Sequence, residues 1–306
     1  MKYTKISDTN LTVPNIAVGC MRMTELDPNG AKRFVNSMLE MGFNFFDHAD
    51  IYGNGACEEM FAKAVNMNSN VREKLIIQSK CGIRPGVAYD FSTDYIISAV
   101  ECSLKRLNTD YLDILLLHRP DALCEPAEVA EAFNILHSQG KVKHFGVSNH
   151  TPLQIKLLEK ETDFKLVVNQ MQFGIGHSTM VSAGIHANMT DNLAINRDGG
   201  VLDYCRLNNI TIQAWSPFQY GFFNGIIFDR EKFPHLNNVL GEIANKYGVS
   251  NTAVAVAWIL RHPANIIPVT GTMNVDRMKD ISKANDFILT RDEWYKIYIA
   301  AGNTLP

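Results

Sequence analysis

The run YLDILLLH, residues 111–118, is apolar at almost every position and ends on a histidine. Near-continuous apolar runs of this length are typical of parallel strands that are covered on both faces. Further runs of the same kind are IAVGC (16–20), FNFFD (43–47), KLIIQSK (74–80), HFGVSN (144–149), KLVVNQ (165–170), ITIQAWS (210–216) and NIIPVTG (265–271). The sequence therefore predicts eight buried strands.

Helical patterns lie between these strands. They cover residues 30–41, 92–107, 126–139, 151–160, 200–208, 236–247 and 251–262. Regular alternation of strands and helices predicts an α/β protein with a closed (β/α)₈ TIM barrel, because an open doubly wound sheet accommodates this many units poorly. We interpret residues 1–306 as a single barrel domain.

Additional elements are predicted before the first and after the last barrel strand of the chain. The segment YTKISDTNLTVP (3–14) indicates an N-terminal hairpin that caps the barrel bottom, and extra C-terminal helices are expected near 275–284 and at 291–301. Residues 173–200 show no clear element. Loops of this length in a compact domain are usually functional or mobile.

Composition excludes several classes of protein. The chain has 306 residues, 46% of them hydrophobic and 20% charged, with a formal net charge of -3. No basic cluster indicates nucleic-acid binding, and no apolar run is long enough for a membrane span. The N-terminus lacks the apolar core of a signal peptide, so a cytoplasmic location is expected. Six scattered cysteines without a C-x-x-C pair indicate reduced thiols and no metal site.

Polar residues follow most of the predicted strands. In a TIM barrel the carboxyl ends of the strands meet at one mouth, where active sites are built. Such residues, dispersed in sequence, should therefore form one cluster. The residues at these positions are Asp47, Tyr52, Lys80, His118, Ser148, Asn149, Gln170, Trp215, Ser216, Gly271 and Thr272.

The first four of these residues suggest a mechanism. Tyr52 is a poor acid because a tyrosine pKa is about 10, but a nearby Lys80 ammonium would lower that pKa. Asp47 could keep Lys80 charged, and a neutral His118 could donate to a carbonyl oxygen. Together they could stabilise a developing alkoxide and protonate it from Tyr52, provided that another group delivers hydride. By period-two alternation, His48 faces away from Asp47 and is a bystander.

The motifs around these positions resemble those of the aldo-keto reductases. GFNFFDHADIYGNG (42–55) with Glu58 and TDYLDILLLHRPD (109–121) are similar to the two family signatures. GKVKHFGVSN (140–149), VVNQ (167–170), AWSP (214–217) and IPVTGTMNVDR (267–277) follow in family order. Several long motifs in the right order are more specific than any one short pattern.

The resemblance implies a role for each matching residue. Asp47, Tyr52, Lys80 and His118 match the catalytic tetrad. Ser148, Asn149 and Gln170 match residues that hold the nicotinamide carboxamide, and Trp215 matches the aromatic that stacks on the nicotinamide ring. The residues that match family positions around the pyrophosphate and the 2′-phosphate are Ser216, Gly271, Thr272 and Arg277.

The resemblance also implies a cofactor and a kind of substrate. The expected cofactor is NADPH/NADP⁺, with NADH less favoured, and the expected substrate is a small carbonyl compound. Its contacts are expected mainly from residues 81–91, 119–126 and 173–200. The oligomeric state stays open, and a monomer is compatible with the pattern.

Other functions are compatible with parts of the pattern. The barrel could bind NADPH as a redox-sensing module with little turnover, which the complete tetrad disfavours. A Schiff-base lyase would use Lys80 as nucleophile, and the neighbouring Asp47 and Tyr52 argue against it. A zinc hydrolase lacks the spaced histidine pair that it needs on the first strands.

Overall fold

Eight parallel strands pair edge to edge and close into a barrel in the computed structural model of the chain. The structure describes residues 1–189, 191–192 and 194–303. The strands are β1 (Tyr3–Lys5), β2 (Thr12–Pro14), β3 (Ala17–Gly19), β4 (Phe45–Asp47), β5 (Ile76–Cys81), β6 (Ile83–Arg84), β7 (Ala88–Tyr89), β8 (Leu112–Leu117), β9 (Val142–Ser148), β10 (Leu166–Gln172), β11 (Thr211–Trp215) and β12 (Ile267–Thr270). Around the barrel the order is β3-β4-β5-β8-β9-β10-β11-β12, and β12 pairs again with β3. The predicted (β/α)₈ TIM barrel is confirmed.

Helices cover the outside of the barrel and bury the outer faces of its strands. They are α1 (Pro28–Glu40), α2 (Ala56–Val65), α3 (Ser69–Arg72), α4 (Thr93–Leu107), α5 (Pro126–Ser138), α6 (Pro152–Glu159), α7 (Thr179–Ile185), α8 (Val201–Leu207), α9 (Pro234–Tyr247), α10 (Asn251–Leu260), α11 (Val275–Ser282) and α12 (Arg291–Ala300). Because helices cover one face and the barrel interior covers the other, β8 is buried along its whole length. This explains the apolar run of residues 111–118.

The N-terminal hairpin closes one end of the barrel. Strands β1 and β2 pair antiparallel, and Ile6 and Val13 are completely buried in the apolar cluster inside the barrel. That cluster also contains Phe45 and Ile267, the first residues of β4 and β12. The hairpin therefore covers the end at which the strands begin, and any site must open at the opposite end.

The C-terminal helices pack against the outer ring. Trp258 of α10 and Trp294 of α12 stack with ring centroids 4.6 Å apart, and each indole nitrogen donates to the other residue's carbonyl oxygen at 3.1 and 2.9 Å. Both rings are buried and both indole N–H groups are satisfied, so α12 is held firmly to the barrel.

One prediction about local structure is wrong. Residues 173–200 were expected to lack a clear element, but α7 lies within them, while residues 190 and 193 fall outside the described part of the chain. This helix is too short to show a convincing period. Tertiary contacts help to hold it in place, including a 2.9 Å hydrogen bond between the hydroxyls of Ser182 and Tyr298.

The strand register brings polar side chains together inside the barrel. Asp47 on β4 lies opposite Gln78 on β5, and Lys80 follows two residues later on the same face of β5. Gln170 on β10 lies opposite both Ser148 on β9 and Gln213 on β11. These pairings place the predicted site residues at the carboxyl ends of the strands.

Candidate active site

The Lys80 ammonium is the centre of the polar cluster. Its Nζ donates to Asp47 Oδ2 at 2.8 Å, to the His48 carbonyl oxygen at 2.7 Å and to Tyr52 Oη at 3.1 Å. These three bonds use all three ammonium protons. The side chains of Lys80 and Asp47 are 0% and 2% exposed, so the ion pair lies out of solvent.

Tyr52 is positioned by a sharp turn after β4. The turn contains Gly53, Asn54 and Gly55, all in the left-handed region with φ of 56°, 53° and 91°. A Cβ atom at Gly55 would lie 2.6 Å from Arg106 Cδ, so both φ and space favour glycine there. The turn carries the Tyr52 ring to within 6.0 Å of the His118 ring, centroid to centroid and edge-on.

A buried salt bridge supports this turn from behind. Glu58 on α2 accepts hydrogen bonds from Arg106 Nε and from Ser79 Oγ, both at 2.7 Å. The Glu58 side chain is completely buried. In the sequence, Glu58 stands out only as part of a motif, and Arg106 gives no clear sign of its role because it lies on a different helix.

A glutamine network under the cluster was also missed. Gln78 Nε2 donates to Asp47 Oδ1 at 2.6 Å and to Gln213 Oε1 at 2.7 Å. Gln170 Nε2 donates to the same two acceptors at 3.1 and 2.8 Å. Asp47 therefore has three donors, which compensates for the burial of its charge. Isolated glutamines inside apolar strands were the available signal.

The residues assigned to the carboxamide lie together on β9, β10 and β11. Ser148 Oγ donates to the backbone carbonyl oxygen of Gln170 at 2.9 Å, and Asn149 Nδ2 donates to Ser148 Oγ at 2.8 Å. Trp215 Nε1 donates to Asn149 Oδ1 at 3.1 Å. Because the side-chain nitrogen of Gln170 is engaged with Asp47 and Gln213, its side-chain oxygen Oε1 is the group left for a ligand.

The residues assigned to the phosphates follow β11 and β12. Thr272 Oγ1 accepts from the Asn274 backbone N–H at 3.2 Å, and Asn274 caps α11 by accepting from the Arg277 N–H at 3.0 Å. A Cβ atom at Gly271 would meet nothing within 4 Å. The Arg277 guanidinium is exposed, with no ion pair among the described residues. An available cation at the start of a helix suits a phosphate group.

A cavity of about 900 Å³ opens at the carboxyl end of the barrel. Eleven of the twelve predicted site residues line it, and the twelfth, Lys80, reaches it through Tyr52. Its outer wall comes mainly from the segment 216–230. This segment contributes Ser216, Pro217, Phe218, Gln219, Phe222, Phe223, Ile226, Phe228 and Arg230. A second depression of about 740 Å³ lies outside the barrel between α2 and α4 and touches none of the predicted residues.

Two of the three segments expected to contact the substrate contribute to the cavity lining. Residues 81–91 contribute Ile83 to the cavity lining, and residues 119–126 contribute Arg119. None of the described residues within 173–200 lines the cavity, because α7 packs instead on α12 at the side of the barrel. The segment 216–230 was missed, although its aromatic residues between a strand and a helix were a visible signal.

Burial changes the acidities expected from the sequence. It raises the pKa of Tyr52 above its usual value near 10, and the opposing effect of Lys80 is the weaker one. Lys80 thus lowers the Tyr52 pKa, as expected, but burial outweighs it and the net shift of the pKa is upward. Burial would lower the pKa of Lys80, but Asp47 and Tyr52 outweigh it and raise that pKa. Burial, with Lys80 and Arg119, holds the pKa of His118 well below its usual range, so the imidazole is neutral.

Two buried groups beside the cluster have incomplete hydrogen bonding. Neither ring nitrogen of His48 has a partner among the described residues, and burial lowers the His48 pKa to about 3. Its ring packs against Phe61 with centroids 4.7 Å apart, which agrees with a structural role. Asp50 Oδ1 also has no partner, and burial, followed by Glu58, raises the pKa of Asp50 to about 7.

Asp50→Asn is expected to stabilise the protein at pH 8 and to have little effect near pH 4. Folding raises the Asp50 pKa, so between the unfolded value and about 7 the wild type loses stability as the pH rises. The amide removes this loss, which we expect to be on the order of 2 kcal/mol. Thermal unfolding at both pH values measures it, with the exposed Asp110→Asn as control. An equal change for Asp50→Asn at both pH values would contradict the expectation.

Nowhere in the described ranges do three or more His, Cys, Asp or Glu side chains gather in a way that could hold a metal ion. No described helix combines the length and the apolar character that a membrane crossing requires.

The barrel and the polar groups at its open end define a TIM-barrel enzyme of the oxidoreductase class. The chain belongs to the Aldo/keto reductase family, whose model matches residues 15–301. The family was recognised from the motifs, and this match confirms it. The chain is therefore an oxidoreductase of a family that reduces carbonyl compounds.

Individual relatives agree with this assignment. Uncharacterized oxidoreductase YcsN of Bacillus subtilis (strain 168) is 35% identical, over 97% of this chain and 97% of its own length. The 6-dehydroglucose reductase of Novosphingobium aromaticivorans is 32% identical, over 99% of this chain and 97% of its own. The crystal structure of a thermostable aldo-keto reductase in complex with epalrestat has a TM-score of 0.76 at 24% identity, over 98% of this chain and 100% of that one. This structural likeness supports the fold alone.

Proposed function

We propose that this chain reduces aldehyde and ketone carbonyls to alcohols with NADPH, and that Tyr52 is the general acid. The observation that carries the proposal is the hydrogen bond from Lys80 Nζ to Tyr52 Oη. Because Tyr52 Oη accepts from Lys80, its own proton points elsewhere and is available to a carbonyl oxygen in the cavity.

The tetrad residues divide the chemical work in this proposal. Tyr52 stays protonated before the reaction because burial raises its pKa, and Lys80 stabilises the phenolate that proton transfer leaves behind. His118 is neutral and lines the same cavity, so it can donate to the carbonyl oxygen as charge develops. Asp47 keeps Lys80 charged.

The residues at the cavity fit a nicotinamide adenine dinucleotide phosphate. NADPH would supply the hydride. The Trp215 face offers a stacking surface, and Ser148, Asn149 and the Gln170 side-chain oxygen Oε1 suit a carboxamide. The exposed Arg277 guanidinium at the start of α11 suits a 2′-phosphate, which favours NADPH over NADH.

A Schiff-base lyase is disfavoured by the state of Lys80. A lysine nucleophile must be neutral, but Lys80 is hydrogen-bonded through all three protons and its pKa is raised.

We also propose a reducing, cytoplasmic setting for this single-domain barrel. All six cysteines are free, and four of them are buried.

The rate of NADPH oxidation with a panel of aromatic and aliphatic aldehydes tests the proposed function. We expect turnover, with kcat/KM for NADPH at least about tenfold above that for NADH. A charge-assisted hydrogen bond to the 2′-phosphate changes affinity by about that factor. Quenching of tryptophan fluorescence by NADPH measures binding separately. Binding without turnover across the panel would favour a redox-sensing module, and absence of both would contradict the proposal.

A further inference from the structure

Arg119 extends across the mouth of the barrel next to the proposed catalytic residues. It follows His118 directly after β8 and lines the same cavity. Its guanidinium carbon lies 5.7 Å from the ring centroid of Trp215 and 5.8 Å from that of Phe222. Trp215 ends β11, which β9 and β10 separate from β8. The side chain therefore reaches from one side of the opening to the other.

Arg119 differs from the other poorly exposed arginines in lacking any hydrogen-bonded partner, since even Arg261, which has no ion pair, donates to the Leu289 carbonyl oxygen at 2.8 Å. Arg72 pairs with Asp113 and Arg106 pairs with Glu58, each with a nitrogen–oxygen distance of 2.7 Å. Arg119 is partly buried, but within the described ranges its guanidinium makes no ion pair and no hydrogen bond. Desolvated charges in proteins are normally paired. A partly buried guanidinium with free donors is therefore an open binding position.

The position of Arg119 separates it from the expected cofactor phosphates. The residues that suit phosphates, Gly271, Thr272 and Arg277, follow β12, whereas Arg119 follows β8 on another side of the barrel. The Arg119 charge lies close enough to His118 to help lower its pKa. Arg119 and His118 also line the same cavity, so the guanidinium lies near the region where the carbonyl compound must sit.

We propose that Arg119 binds an oxyanion group of the substrate, a carboxylate or a phosphate, and so selects anionic carbonyl compounds. The proposal rests on the proposed reductase function and adds a substrate class to it. A planar guanidinium forks onto two oxygens of either group, and the flanking Trp215 and Phe222 rings limit its movement. The aromatic wall would cover the apolar part of such a substrate.

Matched substrates test this proposal in the Arg119→Met variant. The pairs are 4-carboxybenzaldehyde with its methyl ester, and glyceraldehyde 3-phosphate with glyceraldehyde. For at least one anionic member, kcat/KM should fall about 10–100-fold, since charge-assisted hydrogen bonds to the guanidinium are lost. For the neutral members it should change by less than about threefold, and Arg119→Lys should recover part of the loss. The two pairs show whether the carboxylate or the phosphate is preferred.

Control variants separate binding from folding and from general electrostatics. Arg230→Met removes an exposed charge from the same cavity, and it should not discriminate between the members of a pair. NADPH affinity, measured by fluorescence quenching, should be unchanged in Arg119→Met and weakened in Arg277→Met. Equal losses for anionic and neutral substrates, weakened NADPH binding in Arg119→Met, or the same selectivity change in Arg230→Met would overturn the proposal.

Calorimetry gives a readout that does not depend on turnover. The wild type should bind 4-(hydroxymethyl)benzoate or glycerol 3-phosphate more tightly than the neutral methyl ester or glycerol, and Arg119→Met should abolish that preference. Failure of turnover with every aldehyde, together with this preference, would remove the proposed reductase function but keep the anion site. Turnover of neutral aldehydes without any anion preference would keep the proposed reductase function but remove the anion site.

Discussion

Tyr52→Phe is expected to lower kcat for carbonyl reduction by about 10²–10⁴-fold, the usual contribution of a positioned general acid. The substitution removes one oxygen and keeps the ring that faces His118. Lys80 keeps Asp47 and the His48 carbonyl oxygen as partners, so the buried ion pair stays intact. NADPH binding and the melting temperature should therefore be nearly unchanged. Initial rates at saturating NADPH and aldehyde measure the effect.

A matched tyrosine outside the cavity provides the control. The Tyr247 hydroxyl on α9 donates to Glu293 at 2.9 Å and does not line the cavity. Tyr247→Phe also removes one phenol oxygen, and its kcat should stay within about twofold of wild type, as for substitutions far from the site. If Tyr52→Phe kept the wild-type kcat as well, another residue would be the acid, with His118 as the first candidate.

Much of the barrel and part of the site were predictable because both follow from local patterns. Apolar runs mark strands, and the strand ends of a parallel barrel share one mouth, so Asp47, Lys80 and His118 could be placed together. Tyr52 lies five residues beyond Asp47, after the end of the strand, so the alternation of strand residues does not place it. Its assignment depended on the chemistry of the set and on the family motif.

The parts that were not predicted depend on contacts between distant segments. Gln78 and Gln213 are 135 positions apart and meet only because the barrel closes. The raised pKa of Tyr52 depends on how completely its surroundings exclude water, which no single motif encodes. The short helix α7 is stabilised by Tyr298 from the far end of the chain. In each case the deciding interaction is tertiary.

Lys80→Met is expected to impair both catalysis and stability. Turnover should fall about 10²–10³-fold, since the ammonium that stabilises the forming phenolate is lost. Asp47 would remain buried without its cation, which we expect to reduce the free energy of unfolding by about 3–5 kcal/mol near neutral pH. Steady-state rates and urea unfolding measure the two effects.

The double variant Asp47→Asn/Lys80→Met separates the two roles of Lys80. An asparagine can still accept from Gln78 and Gln170 and carries no charge, so it should restore most of the lost stability. It cannot restore turnover, since no ammonium remains next to Tyr52. A double-mutant cycle should thus give strong coupling between Asp47 and Lys80 in stability without recovery of kcat. Recovery of both would mean that Lys80 only maintains the fold and that the phenolate needs no cation, which would remove the physical basis for Tyr52 as the acid.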